Sequence, residues 1–118
     1  MEKVIELDPH HADARYHLGL TLGQLGRDDA ALVQLKQAVN LSPDVAEIRY
    51  CIGATLAHLS RWNEAIEEYK AAIGLRPNYA DALFNLGVAY SELGRTEEEI
   101  RAYEQALQFQ QTRTPCGT

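Results

Sequence analysis

The sequence predicts an all-α fold, an α–α superhelix in which antiparallel helix pairs stack into a solenoid. Three observations predict it: self-similarity at a 34-residue offset, two helical apolar patterns inside each repeat, and very short breaks between them. Sliding the chain by 34 residues aligns Ala12, Ala46 and Ala80 in one column and Gly19, Gly53 and Gly87 in another. The same offset aligns Leu25, Leu59 and Leu93; Arg27, Arg61 and Arg95; Ala38, Ala72 and Ala106; and Leu41, Leu75 and Phe109. So many matched columns at one offset do not arise by chance.

Taken in order, Val4-Ile5-Glu6-Leu7-Asp8-Pro9 matches Ala72-Ile73-Gly74-Leu75-Arg76-Pro77. Residues 1–11 are therefore expected to be the remnant of a preceding repeat's second helix. Units follow at 12–45, 46–79 and 80–113, covering 102 of the 118 residues, and 114–118 form a loose tail. Six helices are expected, over 12–25, 28–41, 45–59, 63–75, 79–93 and 96–110. In the second unit Ile48, Ile52, Leu56 and Leu59 recur at helical spacing, and Ala65, Ile66, Tyr69, Ala72 and Ile73 do so after a break. Asn63 in that break is suited to cap the next helix. In the third unit a turn at Gly94 leads into Thr96-Glu97-Glu98-Glu99, a capping-box sequence. Ser42-Pro43-Asp44 and Arg76-Pro77-Asn78 separate the units, since proline cannot continue a helix. Loops of two to four residues force antiparallel neighbours. No polar capping helix closes the C-terminal end. Ile100, Tyr103, Leu107 and Phe109 are expected to leave an apolar face there. It would be covered by further repeats of a longer array or by self-association.

Composition limits the partners. The 118 residues carry a net charge of −6, with 46% hydrophobic and 24% charged residues, ordinary for a globular chain. A chain this acidic repels phosphate backbones, and its basic residues are scattered singly, so nucleic acid is not an expected partner. No apolar run reaches the roughly 20 residues of a membrane span, and the N-terminus lacks an export signal. A cytoplasmic location is the default expectation. Cys51 and Cys116, widely spaced, read as two free thiols.

The repeat is identified here as a member of a known family. Leu18-Gly19, Leu22, Ala31, Leu35, Ala38 and Pro43 resemble the tetratricopeptide repeat signature. The pattern returns as Ile52-Gly53, Leu56, Ala65, Tyr69, Ala72 and Pro77, and again as Leu86-Gly87, Tyr90, Glu99, Tyr103 and Ala106. Physically, glycine in a helix costs about 1 kcal/mol against alanine, so it belongs where two helices approach too closely for a side chain. Departures exist. The aromatic often found three residues before the Leu-Gly pair is Arg15, Arg49 and Leu83 here, which implies thinner packing. Glu99 replaces a small residue, and Gln111 stands where the closing proline would be.

The resemblance implies that the first helices line a concave groove for a peptide or partner protein. Its columns are Asp13, Glu47 and Asp81; Tyr16, Tyr50 and Phe84; His17, Cys51 and Asn85; Leu20, Ala54 and Val88; and Gln24, His58 and Glu92. Aromatics supply contact area at low entropic cost, and the acids would prefer a guest with Lys or Arg. Two plainer readings stand beside this one: aromatics that pack between repeats, and acids that simply favour helix starts. Asn85 matches an asparagine with which such grooves grip a peptide backbone. The Lys and Arg that would clamp an acidic chaperone tail are absent.

No catalytic residue, metal or cofactor is expected. His10 and His11 are adjacent at a helix start and lack further ligands at metal spacing. Glu97-Glu98-Glu99 fits a helix first turn. Cys51 and His58 are nearly two helical turns apart, too far for a nucleophile–base pair. Trp62 reads as a packing plug in a turn, and Gly19, Gly23 and Gly26 form no phosphate loop. The leading expectation is a scaffold or adaptor that is not an enzyme. Self-assembly into a homo-oligomer and service as the docking arm of a larger enzyme are the alternatives.

Overall fold

The computed structural model describes residues 9–109. Among them are six helices and no strand: α1 (Pro9–Gln24), α2 (Asp28–Leu41), α3 (Ala46–His58), α4 (Trp62–Leu75), α5 (Ala80–Glu92) and α6 (Thr96–Gln108). Most boundaries fall within two residues of those expected. The exception is α1, which begins three residues early at Pro9, a position where a missing N–H costs nothing. Residues 1–8, most of the expected remnant, and 110–118 lie outside the described residues.

The helices pair as α1 with α2, α3 with α4 and α5 with α6, and the pairs stack through α2 on α3 and α4 on α5. One continuous core threads the stack, from Leu32, Leu35 and Val39 through Ile52, Tyr50 and Tyr69 to Leu86 and Ala102. The glycine column lies where each first helix meets the second helix of its own unit. Where thinner packing was expected, Arg15 donates to Gln34 at 2.9 Å and Arg49 to Glu68 at 3.4 Å, while Leu83 is buried. The arginine stems cross the same gap as an aromatic and end in polar links.

Each first helix stops in the same way. Arg27 N–H donates to Leu22 C=O and Gly26 N–H to Gly23 C=O, at 2.9 and 3.0 Å. Arg61 and Ser60, then Arg95 and Gly94, repeat the pair. This double closure needs a left-handed residue after the helix, at Gly26, Ser60 and Gly94, with φ of 79°, 60° and 72°. Ser60 adopts it at a cost of about 1–2 kcal/mol that glycine avoids.

The second helices start differently from expectation. Asn63 is not a cap, because α4 already begins at Trp62, and the expected capping box at Thr96 makes no side-chain cap bond. Instead Arg61 and Arg95 occupy the cap positions and hold Glu64 and Glu98 in two-point ion pairs, each with one bond of 2.9 Å. Those hydrogen bonds keep both carboxyls below the usual carboxylate range. With folded pKa values depressed, the stabilisation is present above the ordinary carboxylate pKa and fades as pH falls through the lowered one. Both pairs lie in solvent, so the contribution is small.

Candidate functional site

The first helices form the inner wall. α1 touches α3 and α3 touches α5 directly, whereas the second helices make no comparable contact with one another. Elements on the inside of a curved stack are closer together, which places α1, α3 and α5 on the concave side. All fifteen residues of the columns expected from the sequence lie on these three helices.

The structure divides them into surface and packing. Asp13, His17 and Phe84 are exposed, with Phe84 at 53%; Tyr16, Leu20, Glu47, Asp81, Asn85 and Val88 are half-buried. Tyr50, Cys51 and Ala54 are buried. Tyr50 is 0% exposed, its ring 5.8 Å from that of Tyr69 and 5.2 Å from that of Tyr79. The aromatic column thus grades from buried Tyr50 through half-buried Tyr16, packed on the core, to exposed Phe84, whose ring lies 5.6 Å from that of Tyr103.

Adjacent columns are stitched across units. Asn85 Nδ2 donates to the Tyr50 hydroxyl at 2.7 Å and to Asp81 C=O at 3.0 Å. At the equivalent point one unit earlier, the Tyr16 hydroxyl sits 3.7 Å from Cys51 Sγ. The free-thiol expectation does not hold at Cys51, whose sulfur is disulfide-bonded; Cys116 lies outside the described residues. Of the acid column, Glu47 forms an ion pair with Arg76, so part of its charge is answered within the chain. The field of the wall remains negative at Tyr16, whose phenol is raised by burial and then by the charges of Glu47 and Asp13.

Between α1 and α3 a cleft of about 110 Å³ opens, lined by Leu20, Gln24, Ala54, Thr55 and His58 with Asp28 at its rim. His58 Nδ1 lies 3.8 Å from the Asp28 carboxylate, a contact joining the second unit to the first. Sequence reasoning placed His58 in the groove but not this partner, because Asp28 belongs to the other helix of the preceding unit. Trp62 is half-buried at the start of α4, packed on the core, not in a turn. Among the described residues no group of three or more His, Cys, Asp or Glu is placed to hold a metal ion. No described helix is long and apolar enough to cross a membrane.

A family profile described as "TPR repeat" matches residues 24–60 and 56–94, and one described as "Tetratricopeptide repeat" matches 80–113. Among solved structures, that of MamA is 31% identical with a TM-score of 0.83, over 92% of this chain and 64% of that one. YrrB, a TPR protein with an unusual peptide-binding site, is 30% identical with a TM-score of 0.80, over 89% of this chain and 54% of that one. The second TPR of Spaghetti (RPAP3), bound to the HSP90 peptide SRMEEVD, has a TM-score of 0.85 over 89% of this chain and 97% of that one. At 18% identity that last likeness concerns the fold alone. This chain thus spans about two thirds of that MamA chain and about half of YrrB. No curated protein sequence matches it.

Proposed function

The chain belongs to the tetratricopeptide repeat family, and we propose that it is a protein-interaction scaffold whose concave wall holds an extended, basic peptide. The observation that carries the proposal is the open strip on α5: exposed Phe84 beside half-buried Asn85 and Val88, with Asp81 one turn earlier. An exposed aromatic flanked by polar groups is the composition of an interface anchor, not of a solvated helix. The Asn85 nitrogen is committed to Tyr50 and Asp81 C=O, so this side chain offers a guest backbone its oxygen, as an acceptor.

Charge selects the guest. The inner columns hold Asp13, Glu47, Asp81 and Glu92 and contain no Lys or Arg. An acidic guest such as the SRMEEVD peptide bound by the RPAP3 domain would meet like charge here, whereas Lys or Arg side chains would meet attraction. The peptide-binding site of YrrB, a 30%-identical relative, supports the interaction class without specifying the guest.

A labelled peptide alternating leucine and lysine tests this by fluorescence anisotropy. It is expected to bind at least about tenfold more tightly than its glutamate counterpart, a difference of about 1.4 kcal/mol. Added salt should erode that preference. Replacing Phe84 and Val88 by alanine is expected to weaken binding by a further factor of about ten. Equal affinity for the two peptides, or undiminished binding by the double variant, would remove the proposal.

A further inference from the structure

We infer that the cleft between α1 and α3 is a subsite for one lysine side chain of the guest, its unbranched stem lying on Leu20, Gly23 and Ala54 and its ammonium held at Asp28. This rests on the basic-guest reading of the concave wall and adds to it a place, a residue type and the contacts that select it. The cleft holds about 110 Å³ and opens on the inner wall, since Leu20, Gln24, Ala54 and His58 of the groove columns line it. Its apolar part is built from Gly19, Leu20, Gly23, Leu35 and Ala54, and its polar part from Gln24, Asp28, Thr55 and His58. From Cys51 to His58 it follows α3 for about 10 Å at 1.5 Å per residue, long enough to lay a four-carbon stem flat.

The opening is a departure from the repeat. Gly23, Asp28 and Ala54 stand in the columns that hold Ala57, Trp62 and Val88 one unit later, and each is the smaller residue. Ala57 and Trp62 pack on the core, so the later columns are filled where the earlier ones leave room. Gly23 sharpens the point. Gly19 is explained by helix approach, because a Cβ there would stand 2.7 Å from Leu35, but nothing lies within 4 Å of a Cβ at Gly23. A helical glycine costs stability against alanine, and what this one leaves in return is space in the cleft. Asp28 opens α2, where an acid suits the helix dipole, yet exposed Asp29 beside it serves that purpose equally.

The polar end selects the head group. The Asp28 side chain is 20% exposed and meets His58 at 3.8 Å, the far limit of an ion pair, while the His58 side chain is 66% exposed and free to turn aside. No Lys or Arg lines the cleft, so a carboxylate partly withdrawn from water faces it with its charge weakly answered. Thr55 donates its hydroxyl hydrogen to Cys51 C=O at 2.9 Å, so what it offers a guest is an acceptor. Gln24 adds a carbonyl oxygen. Three acceptors on three different side chains suit a compact ammonium with three rotatable donors. A planar guanidinium wants its acceptors paired in one plane. The preferred residue is therefore lysine, with arginine second.

A single blocked lysine, Nα-acetyl-lysine methylamide, tests the subsite by NMR titration without any peptide. Saturable shifts are expected at Gly23, Ala54, Thr55 and His58, with a Kd of about 1–10 mM, the range for so small a ligand. The norleucine analogue keeps the four carbons and lacks the ammonium; it and the arginine analogue should bind at least about fivefold more weakly. Asp28→Asn, equally suited to a helix start, should bring lysine down to the norleucine level. Gly23→Ala with Ala54→Val installs the side chains that the next unit carries in those columns, and should abolish binding while circular dichroism is unchanged. Lysine shifts that do not saturate by about 100 mM, or that fall on other residues, overturn the inference. So does an Asp28→Asn chain that binds lysine as the parent does. The leucine–lysine peptide judges the groove separately: a preference over its glutamate counterpart that is equal in the parent and in Asp28→Asn keeps the groove and removes the subsite.

Discussion

Tyr50→Ala is expected to lower the unfolding free energy by about 3–5 kcal/mol, the range for removing a large buried aromatic. The side chain is wholly buried, lies between the rings of Tyr69 and Tyr79, and accepts a hydrogen bond from Asn85. Truncation opens a cavity at the joint of the second and third units and leaves Asn85 without a cross-unit partner. Domains of this size hold a total of about 5–15 kcal/mol, so the loss is a large share of the whole. Tyr50→Phe keeps the volume and removes only the hydroxyl, which is expected to cost about 1 kcal/mol. Phe84→Ala changes the same repeat column on the exposed end and is expected to shift stability by about 0.5 kcal/mol or less. Urea unfolding followed by circular dichroism separates the three. Equal losses for Tyr50→Ala and Phe84→Ala would mean that the next unit does not cover Tyr50.

Gly53→Val is expected to cost about 3 kcal/mol by overpacking. A Cβ built there stands 2.8 Å from two ring carbons of Tyr69 and 3.3 Å from the Ala65 carbonyl oxygen. Tyr69 cannot swing away, being buried against Tyr50, and the carbonyl is helix backbone. Relief would require α3 and α4 to separate. The gain from replacing a helical glycine, about 1 kcal/mol, is too small to offset that. Gly74 supplies the control: nothing lies within 4 Å of its Cβ position, so Gly74→Ala is expected to stabilise by about 0.5–1 kcal/mol. Thermal unfolding of the two variants should move in opposite directions, and destabilisation by both would sever the glycine column from helix approach.

The repeat and its helix pairs were legible because the constraint at Gly53 is local to one unit and is written again at Gly19 and Gly87. The helix starts were less so. The column Arg27, Arg61 and Arg95 was visible, yet its work at Arg61 and Arg95, gripping Glu64 and Glu98, displaces the side-chain capping that Asn63 and Thr96 suggested. The groove was legible as a set of positions on α1, α3 and α5 but not as a surface. Burial of Tyr50 depends on contacts across units, such as the one with Asn85, which the residue's own repeat does not record. The Glu47–Arg76 pair escaped for a related reason: its partners are 29 residues apart, at opposite ends of one unit.

The most direct test of the interaction reading is a residue-resolved footprint. Amide and side-chain NMR shifts would be followed while the leucine–lysine peptide is added. The largest shifts are expected on the inner helices, at Tyr16, Leu20, Phe84, Asn85 and Val88. Shifts confined to the outer faces of α2, α4 and α6, with the inner helices silent, would contradict it.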